Sequence, residues 1–418
     1  MLNLHSCKAI LMRTEELRNH FPQLKETVYG KPLVYLDNAA TAQRPESVVR
    51  KWEEMSLKCN ANLHRAVHHL ADVATQEYES TREAVRDFID AESADEIVFT
   101  SGATMSLNLV AYAYGDKFVN EGDEVFVTEE EHHSNLVPWQ LLCQRRKAIL
   151  KVVPVDNHGN LDLEFLRKNL SARSKLLCVA QVSNVLGLIN PVEDIVKLSH
   201  SVGCKVLVDG AQGIVHCAVD VRSMDCDFYV FSGHKLYTAP GTGVLYGKKE
   251  LLDSMDPFLA GGEMIDSVKW SGTTYAPVPH RFEAGTQNIA GVPTLKPAIA
   301  EALLMRDPLI ETEQVRIKQY IFSKLTQDLD IVLYGIPEKL EGRIPLFSFC
   351  VKGVHHEDLA LILDKMGVAV RSGQMCAEPL MDRFGVTGML RASFCPYNTM
   401  EEAEYFIDCL YRAIRMLK

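Results

Sequence analysis

The feature that most constrains this chain is a series of short, continuously apolar runs through its middle, each followed by a turn and a helical pattern. Residues 205–209 read Lys-Val-Leu-Val-Asp, and residues 227–231 read Asp-Phe-Tyr-Val-Phe. Runs of this length without polar alternation suit strands covered on both faces, as in parallel sheets layered between helices. The same pattern predicts strands over 96–100, 124–128, 176–182 and 243–247. Helices are expected from a turn at Ser101-Gly102-Ala103 through Ala113, after His133, and from Pro191 to Gly203, where proline opens and glycine closes the element. The prediction is an α/β fold built on a large, mostly parallel sheet.

Beyond Pro293 the texture changes. Helices are expected over 294–305 and 311–329, then a strand at 346–351, a helix at 355–366, strands at 368–371 and 389–394, and a last helix from Thr399. This reads as a smaller α+β unit. Residues 14–25 read as a short helix ending at Phe21-Pro22. The expected organisation is an N-terminal arm over 1–25 packing with the small unit, a large domain over 26–293 and a small C-terminal domain over 294–418, in keeping with 418 residues.

Composition narrows the function. With 44 Lys+Arg against 55 Asp+Glu the formal charge is −11, which argues against nucleic acid or an anionic membrane as the main partner. No stretch approaches the roughly 18 to 20 apolar residues of a membrane span. Eleven cysteines are scattered along the chain without a CxxC or a Cys/His spacing of zinc type. No metal is expected. Residues 1–13 are mildly apolar but lack a leader's cleavage pattern. The reading is a reducing, cytoplasmic setting in which nearly all the cysteines are small buried hydrophobes.

Two residues then carry chemistry. Asp209 ends a buried strand, where ligands of open α/β sheets collect, and a carboxylate there needs a cationic partner. Lys235 follows the next strand in Ser232-Gly233-His234-Lys235 and is placed for Schiff-base chemistry. One ligand explains both: the aldehyde of pyridoxal 5'-phosphate on the lysine and its pyridine nitrogen on the carboxylate. The strand-to-helix turn at Gly102-Ala103-Thr104 offers backbone donors and a hydroxyl to a phosphate, with Ser232 and His234 available to complete the cup. His132, at the end of its strand, suits stacking on the ring. A solvated surface pair for Asp209 and Lys235, and an ordinary N-cap for Thr104, are the bland alternatives.

With these residues in view the chain resembles the group II (SufS/CsdA-like) cysteine desulfurases, class V aminotransferase-type enzymes of fold-type I. The matching stretches are Val34–Thr41, Glu131–Asn135, Ser183–Gly187, Asp209–Gln212, Ser232–Lys235, Phe282–Thr286, Arg371–Pro379 and Leu390–Thr399, in family order and over nearly the whole chain. The resemblance implies that Lys235 carries the cofactor, Asp209 holds its ring nitrogen, Gln212 its phenolic oxygen, and His132 its face. It implies Thr104, Ser232 and His234 at the phosphate, and Thr286 reaching across a homodimer interface to the neighbouring subunit's phosphate. Asn184 and Arg391, with Arg371, would hold the substrate carboxylate. Cys376, in a glycine-containing loop, would be the persulfide-forming nucleophile. The implied reaction turns L-cysteine into L-alanine and hands the sulfur to a small acceptor protein for iron–sulfur cluster or thio-cofactor synthesis. Selenocysteine lyase (acting on L-selenocysteine) and a non-catalytic scaffold protein are the alternative readings.

The pattern departs from the family at two places and carries extra length at a third. Met375 precedes Cys376 where the family often has histidine, and methionine cannot shuttle a proton. Ala103 stands where many relatives have threonine, so backbone donors are expected to compensate. Residues 1–11 read as an extra tail, or as an upstream start before Met12.

Overall fold

The computed structural model describes residues 4–337 and 339–418, with side chains from residue 10 onward. Its centre is a seven-stranded sheet of β1 (Ile97–Thr100), β2 (Glu124–Thr128), β3 (Ile149–Val153), β4 (Ser174–Ala180), β5 (Lys205–Asp209), β6 (Phe228–Ser232) and β7 (Gly243–Gly247). The spatial order is β1-β7-β6-β5-β4-β2-β3. Only β7 runs antiparallel to its neighbours. The apolar runs have the cause inferred for them. Val206, Val208, Tyr229 and Phe231 pack into one buried cluster, and Leu207, Phe228 and Val230 into another on the opposite face. Period-two alternation thus divides each run between two helical layers.

A second sheet, all antiparallel, has the order β8-β9-β11-β10, from β8 (Ile331–Tyr334), β9 (Leu346–Val351), β10 (Arg371–Gly373) and β11 (Met389–Ser393). Helices Pro308–Gln327, His356–Lys365 and Met400–Leu417 pack around it over a core that includes Phe347, Phe349, Leu390 and Phe406. The last helix opens with a capping box, Thr399 to the Glu402 N–H and Glu402 back to the Thr399 N–H.

Several expectations change. The N-terminal helix runs Leu4–Arg18 rather than 14–25, and a separate 3-10 turn follows at Pro22–Lys25, because Phe21 before proline is held out of helical conformation. This helix lies against Pro308–Gln327, with Arg13 paired to Asp307 and Arg18 to Glu402. Residues 1–3 of the proposed tail lie outside the described residues. The single strand expected at 368–371 is two: Val368–Ala369 pairs in parallel with Val34–Tyr35, and β10 pairs with β11. The helix from Ala103 is regular only to Leu109 and then widens into a π-helical turn over Val110–Gly115. Strands β3 and β8, the hairpin Ile265–Lys269 with Gly272–Tyr275, and helices Glu46–Lys58 and His69–Phe88 are additions. Of the cysteines, Cys143, Cys178, Cys204, Cys226, Cys395 and Cys409 are buried, but Cys59, Cys217 and Cys350 are only partly so, and Cys376 is exposed. Cys7 lies outside the described side chains. Among the described residues, no helix is long and apolar enough to cross a membrane.

Candidate active site

The carboxyl ends of β1, β2, β4, β5 and β6 share one edge of the large sheet, and a cavity of about 260 Å³ opens there. Thr104, His132, Asn184, Asp209, Gln212, Ser232, His234 and Lys235 line it from the large sheet's loops; Arg371, Cys376 and Arg391 line it from the smaller one. Of the residues named from sequence, Thr286 alone is not in the lining, and it is exposed.

Asp209 is buried on the last residue of β5, and its Oδ1 accepts from the Ala211 N–H at 2.9 Å. Burial pushes its carboxyl up, while Lys235 and that N–H pull it back. Burial pushes the Lys235 ammonium down; Asp209 and Cys376 oppose the change, and Arg391 adds to it. Among the described residues Lys235 makes no salt bridge.

The strand-to-helix turn after β1 is held by close backbone approach. A Cβ on Gly243 would stand 2.3 Å from the Gly102 Cα, so β7 needs glycine there for the turn to sit against it. The Ala103 N–H donates to Ser232 Oγ at 2.8 Å. That donor is therefore engaged, and the compensation expected at Ala103 falls to the next N–H groups of the helix's first turn, which have no intrahelical acceptor. Thr104 Oγ1 lies 2.8 Å from Ser134 Oγ. His234 Nδ1 lies 3.3 Å from Thr41 Oγ1, and burial, then Lys235, push its imidazole down to about 4. Gln212 Nε2 donates to the Ala39 carbonyl at 2.8 Å.

His132 sits on a braced loop. Buried Glu131 accepts from Thr128 Oγ1, the Ala180 N–H and Asn135 Nδ2, and Asn135 in turn accepts from Trp139 Nε1. Burial pushes Glu131 up to about 8 although its three donors favour the carboxylate. The Ser134 N–H donates to His132 Nδ1 at 3.1 Å, so a neutral His132 carries its proton on Nε2. Burial, then Lys235, push that ring down to about 4, which keeps it neutral near pH 7.

Arg391, on β11 and 3 % exposed, donates through Nη1 to the Asn184 carbonyl at 2.8 Å and through Nη2 to Asp37 Oδ1 at 3.2 Å. Its Nε is buried without a partner among the described residues. Burial lowers its pKa and Asp37 opposes this. Arg371 lies 3.6 Å from Asp37 Oδ2. Asp37 thus gathers both arginines, a role that its place in the Val34–Thr41 stretch does not announce. Asn184 Nδ2 donates to the Met375 carbonyl at 2.8 Å. Met375 is buried beside Val185 and Leu380, and Cys376 after it is exposed at the cleft.

Away from the cleft, His64, Glu79 and His280 bring ligand-type atoms within 4.8 Å of one another, a juxtaposition no local spacing announces. Glu79 already carries the Arg82 guanidinium, with Arg82 Nε 2.8 Å from its Oε2, so a metal cation would add charge beside a buried cation.

The class of protein follows from comparison with known families: residues 34–406 match the class-V aminotransferase model. The cysteine desulfurase of Pectobacterium carotovorum subsp. carotovorum (strain PC1) is 44% identical over 404 residues, covering 96% of this chain and 98% of that protein. The crystal structure of the cysteine desulfurase CsdA from Escherichia coli superposes with a TM-score of 0.88 at 38% identity, over 97% of this chain and 99% of that one. The apo cysteine desulfurase from Thermococcus onnurineus NA1 gives 0.89 at 39% identity, over 96% and 98%. The chain belongs to the class-V aminotransferase family and, within it, to the group II cysteine desulfurases.

Proposed function

We propose that this protein uses pyridoxal 5'-phosphate to convert L-cysteine into L-alanine and retains the sulfur as a persulfide on Cys376. The observation that carries the reading is the exposed Cys376 at a cleft whose floor holds Asp209, Lys235 and an arginine with an unpartnered Nε. The residues fit the cofactor: a buried carboxylate suits a protonated ring nitrogen, and the turn of Thr104 with Ser232 and His234 suits a phosphate. Gln212 and His132 would complete the cradle. Bound there, pyridoxal phosphate supplies an electron sink for bonds at the substrate's Cα.

The chain's own residues do the rest. Arg391, with Asn184 and Arg371, orients the substrate carboxylate, and Arg391 Nε is the open donor for it. Lys235, its basicity lowered by burial, exists more readily as the free amine and takes the Cα proton on Nζ. The Cys376 thiolate attacks the substrate sulfur: an S–S bond forms, the substrate C–S bond breaks, and the carbon keeps the electron pair and gains a proton. In balance, L-cysteine and the Cys376 thiol give L-alanine and the Cys376 persulfide.

The finer parts of the reading follow from the same family. The protein acts as a homodimer in which Thr286, exposed on its own chain, reaches the partner's phosphate. A small acceptor protein takes the sulfur toward iron–sulfur or thio-cofactor synthesis, in a reducing cytoplasm that keeps Cys376 free. The test is a visible spectrum of the purified protein with L-alanine and sulfide assays on L-cysteine. The expected result is an absorbance band of lysine-bound cofactor and alanine equal to sulfur released; no band and no alanine would overturn the reading.

A further inference from the structure

The Cys376 loop is a tight turn, closed by the Ala377 N–H donating to the Gln374 carbonyl at 3.0 Å, with a strained backbone between. Met375 and Cys376 have φ of +54° and +55°, two consecutive non-glycine residues in the left-handed region. Each costs on the order of 1 kcal/mol or more and persists only where the surroundings impose it. Besides the turn's own bond, three hydrogen bonds from the large sheet's loops brace it. Asn184 Nδ2 fixes the Met375 carbonyl at 2.8 Å. The other two come from one residue. The His133 N–H donates to the Cys376 carbonyl at 2.7 Å, and His133 Nε2 accepts from the Glu378 N–H at 3.0 Å.

The Glu378 N–H opens the helix Glu378–Phe384, where no intrahelical acceptor exists and Ala377 gives no side-chain cap. The His133 ring is that cap, supplied from 245 residues away. To accept at Nε2 the ring must be neutral with its proton on Nδ1, opposite to its neighbour His132, which accepts at Nδ1. Two adjacent histidines therefore divide the work: one lines the cofactor cleft, and the other grips the nucleophile's loop at the Cys376 carbonyl and at the Glu378 N–H.

We propose that His133 is a positioning residue for Cys376, its main-chain N–H and its ring Nε2 together aiming the sulfur into the cleft. This rests on the reading of Cys376 as the nucleophile. The ring bond is tested with H133A, and with H133Q, whose amide oxygen supplies a neutral acceptor in its place. Both are measured as the full-length, pyridoxal-phosphate-loaded protein. H133A is expected to keep the change in the visible band on adding L-cysteine, but to acquire sulfur on Cys376 about tenfold more slowly in a single turnover, the factor carried by one hydrogen bond of ordinary strength. H133Q is expected to return to within about threefold of wild type, since its oxygen restores most of that bond. Hydrogen exchange of the Glu378 amide in cofactor-free protein provides a readout independent of turnover: faster in H133A, restored in H133Q. Sulfur gain in H133A within about twofold of wild type, less than such a bond is worth, overturns the proposal, as does an H133Q as slow as H133A. A wild-type protein that makes L-alanine with no sulfur on Cys376 overturns the Cys376 reading itself.

Discussion

Replacing Gly243 by alanine is a one-atom test of the proposed phosphate site. The added Cβ would lie 2.3, 2.5 and 2.6 Å from the Gly102 Cα, N and C. These are backbone atoms, so no side chain can swing aside; restoring an ordinary contact near 3.4 Å moves the turn by about 1 Å. Ser232 Oγ, 2.8 Å from the Ala103 N–H, would lose that bond or follow the displacement. Overpacking of this kind typically costs about 1–3 kcal/mol of stability. A shift of about 1 Å also spoils one or two charge-assisted hydrogen bonds to a phosphate, worth roughly 1.5–3 kcal/mol each, or tenfold to a hundredfold in affinity for a single bond. The assay is titration of cofactor-free G243A with pyridoxal phosphate, followed by absorbance, beside the same titration with pyridoxal, which lacks the phosphate. The expected result is a weaker Kd for pyridoxal phosphate with pyridoxal nearly unchanged. Equal affinity for pyridoxal phosphate in G243A and wild type, or an equal loss for both ligands, would refute the reasoning.

Two further outcomes are expected. R391K keeps the charge but loses the fork that meets the Asn184 carbonyl and Asp37, so KM for L-cysteine should rise by about tenfold with a smaller change in kcat; an unchanged KM contradicts a carboxylate site at Arg391. Burial holds His132, His216 and His234 down to about 4 against an ordinary 6.5. Because the folded state favours the neutral rings, their contribution is fully present above about pH 6.5 and is lost as pH falls toward 4, by at most roughly 3 kcal/mol for each ring. In urea unfolding the stability difference between wild type and H216Q should fall as pH goes from 7 to 4.5, since buried Glu131, pushed up to about 8, changes both proteins alike; a difference independent of pH contradicts the burial argument.

What was legible in the sequence follows from what is local. Strands β1, β2 and β5 to β7 announced themselves because both their faces are buried. Strand β3 did not, because it is an edge strand in which Ile149 and Val152 are exposed and Leu150 and Lys151 half-buried. The hairpin Ile265–Lys269 with Gly272–Tyr275 is exposed along nearly its whole length and leaves no apolar signature. Asp209 and Lys235 could be paired from sequence since adjacent parallel strands carry them to one edge. Asp37 and His133 could not: Asp37 meets Arg391 across 354 residues, and His133 meets the Cys376 carbonyl and, across 245 residues, the Glu378 N–H. Such contacts join segments far apart in the chain that only the tertiary fold brings together. The split of 368–371 between two sheets has the same origin, since residues two apart find different partners.

The central claim is that one cysteine among many takes the sulfur. It is tested most directly by the mass of each cysteine-containing peptide after the cofactor-loaded protein meets one equivalent of L-cysteine. The account predicts one added sulfur atom on the Cys376 peptide, matched by L-alanine, removed by a thiol reductant and absent in C376S. Undiminished alanine formation by C376S, or sulfur carried on another cysteine, would contradict it.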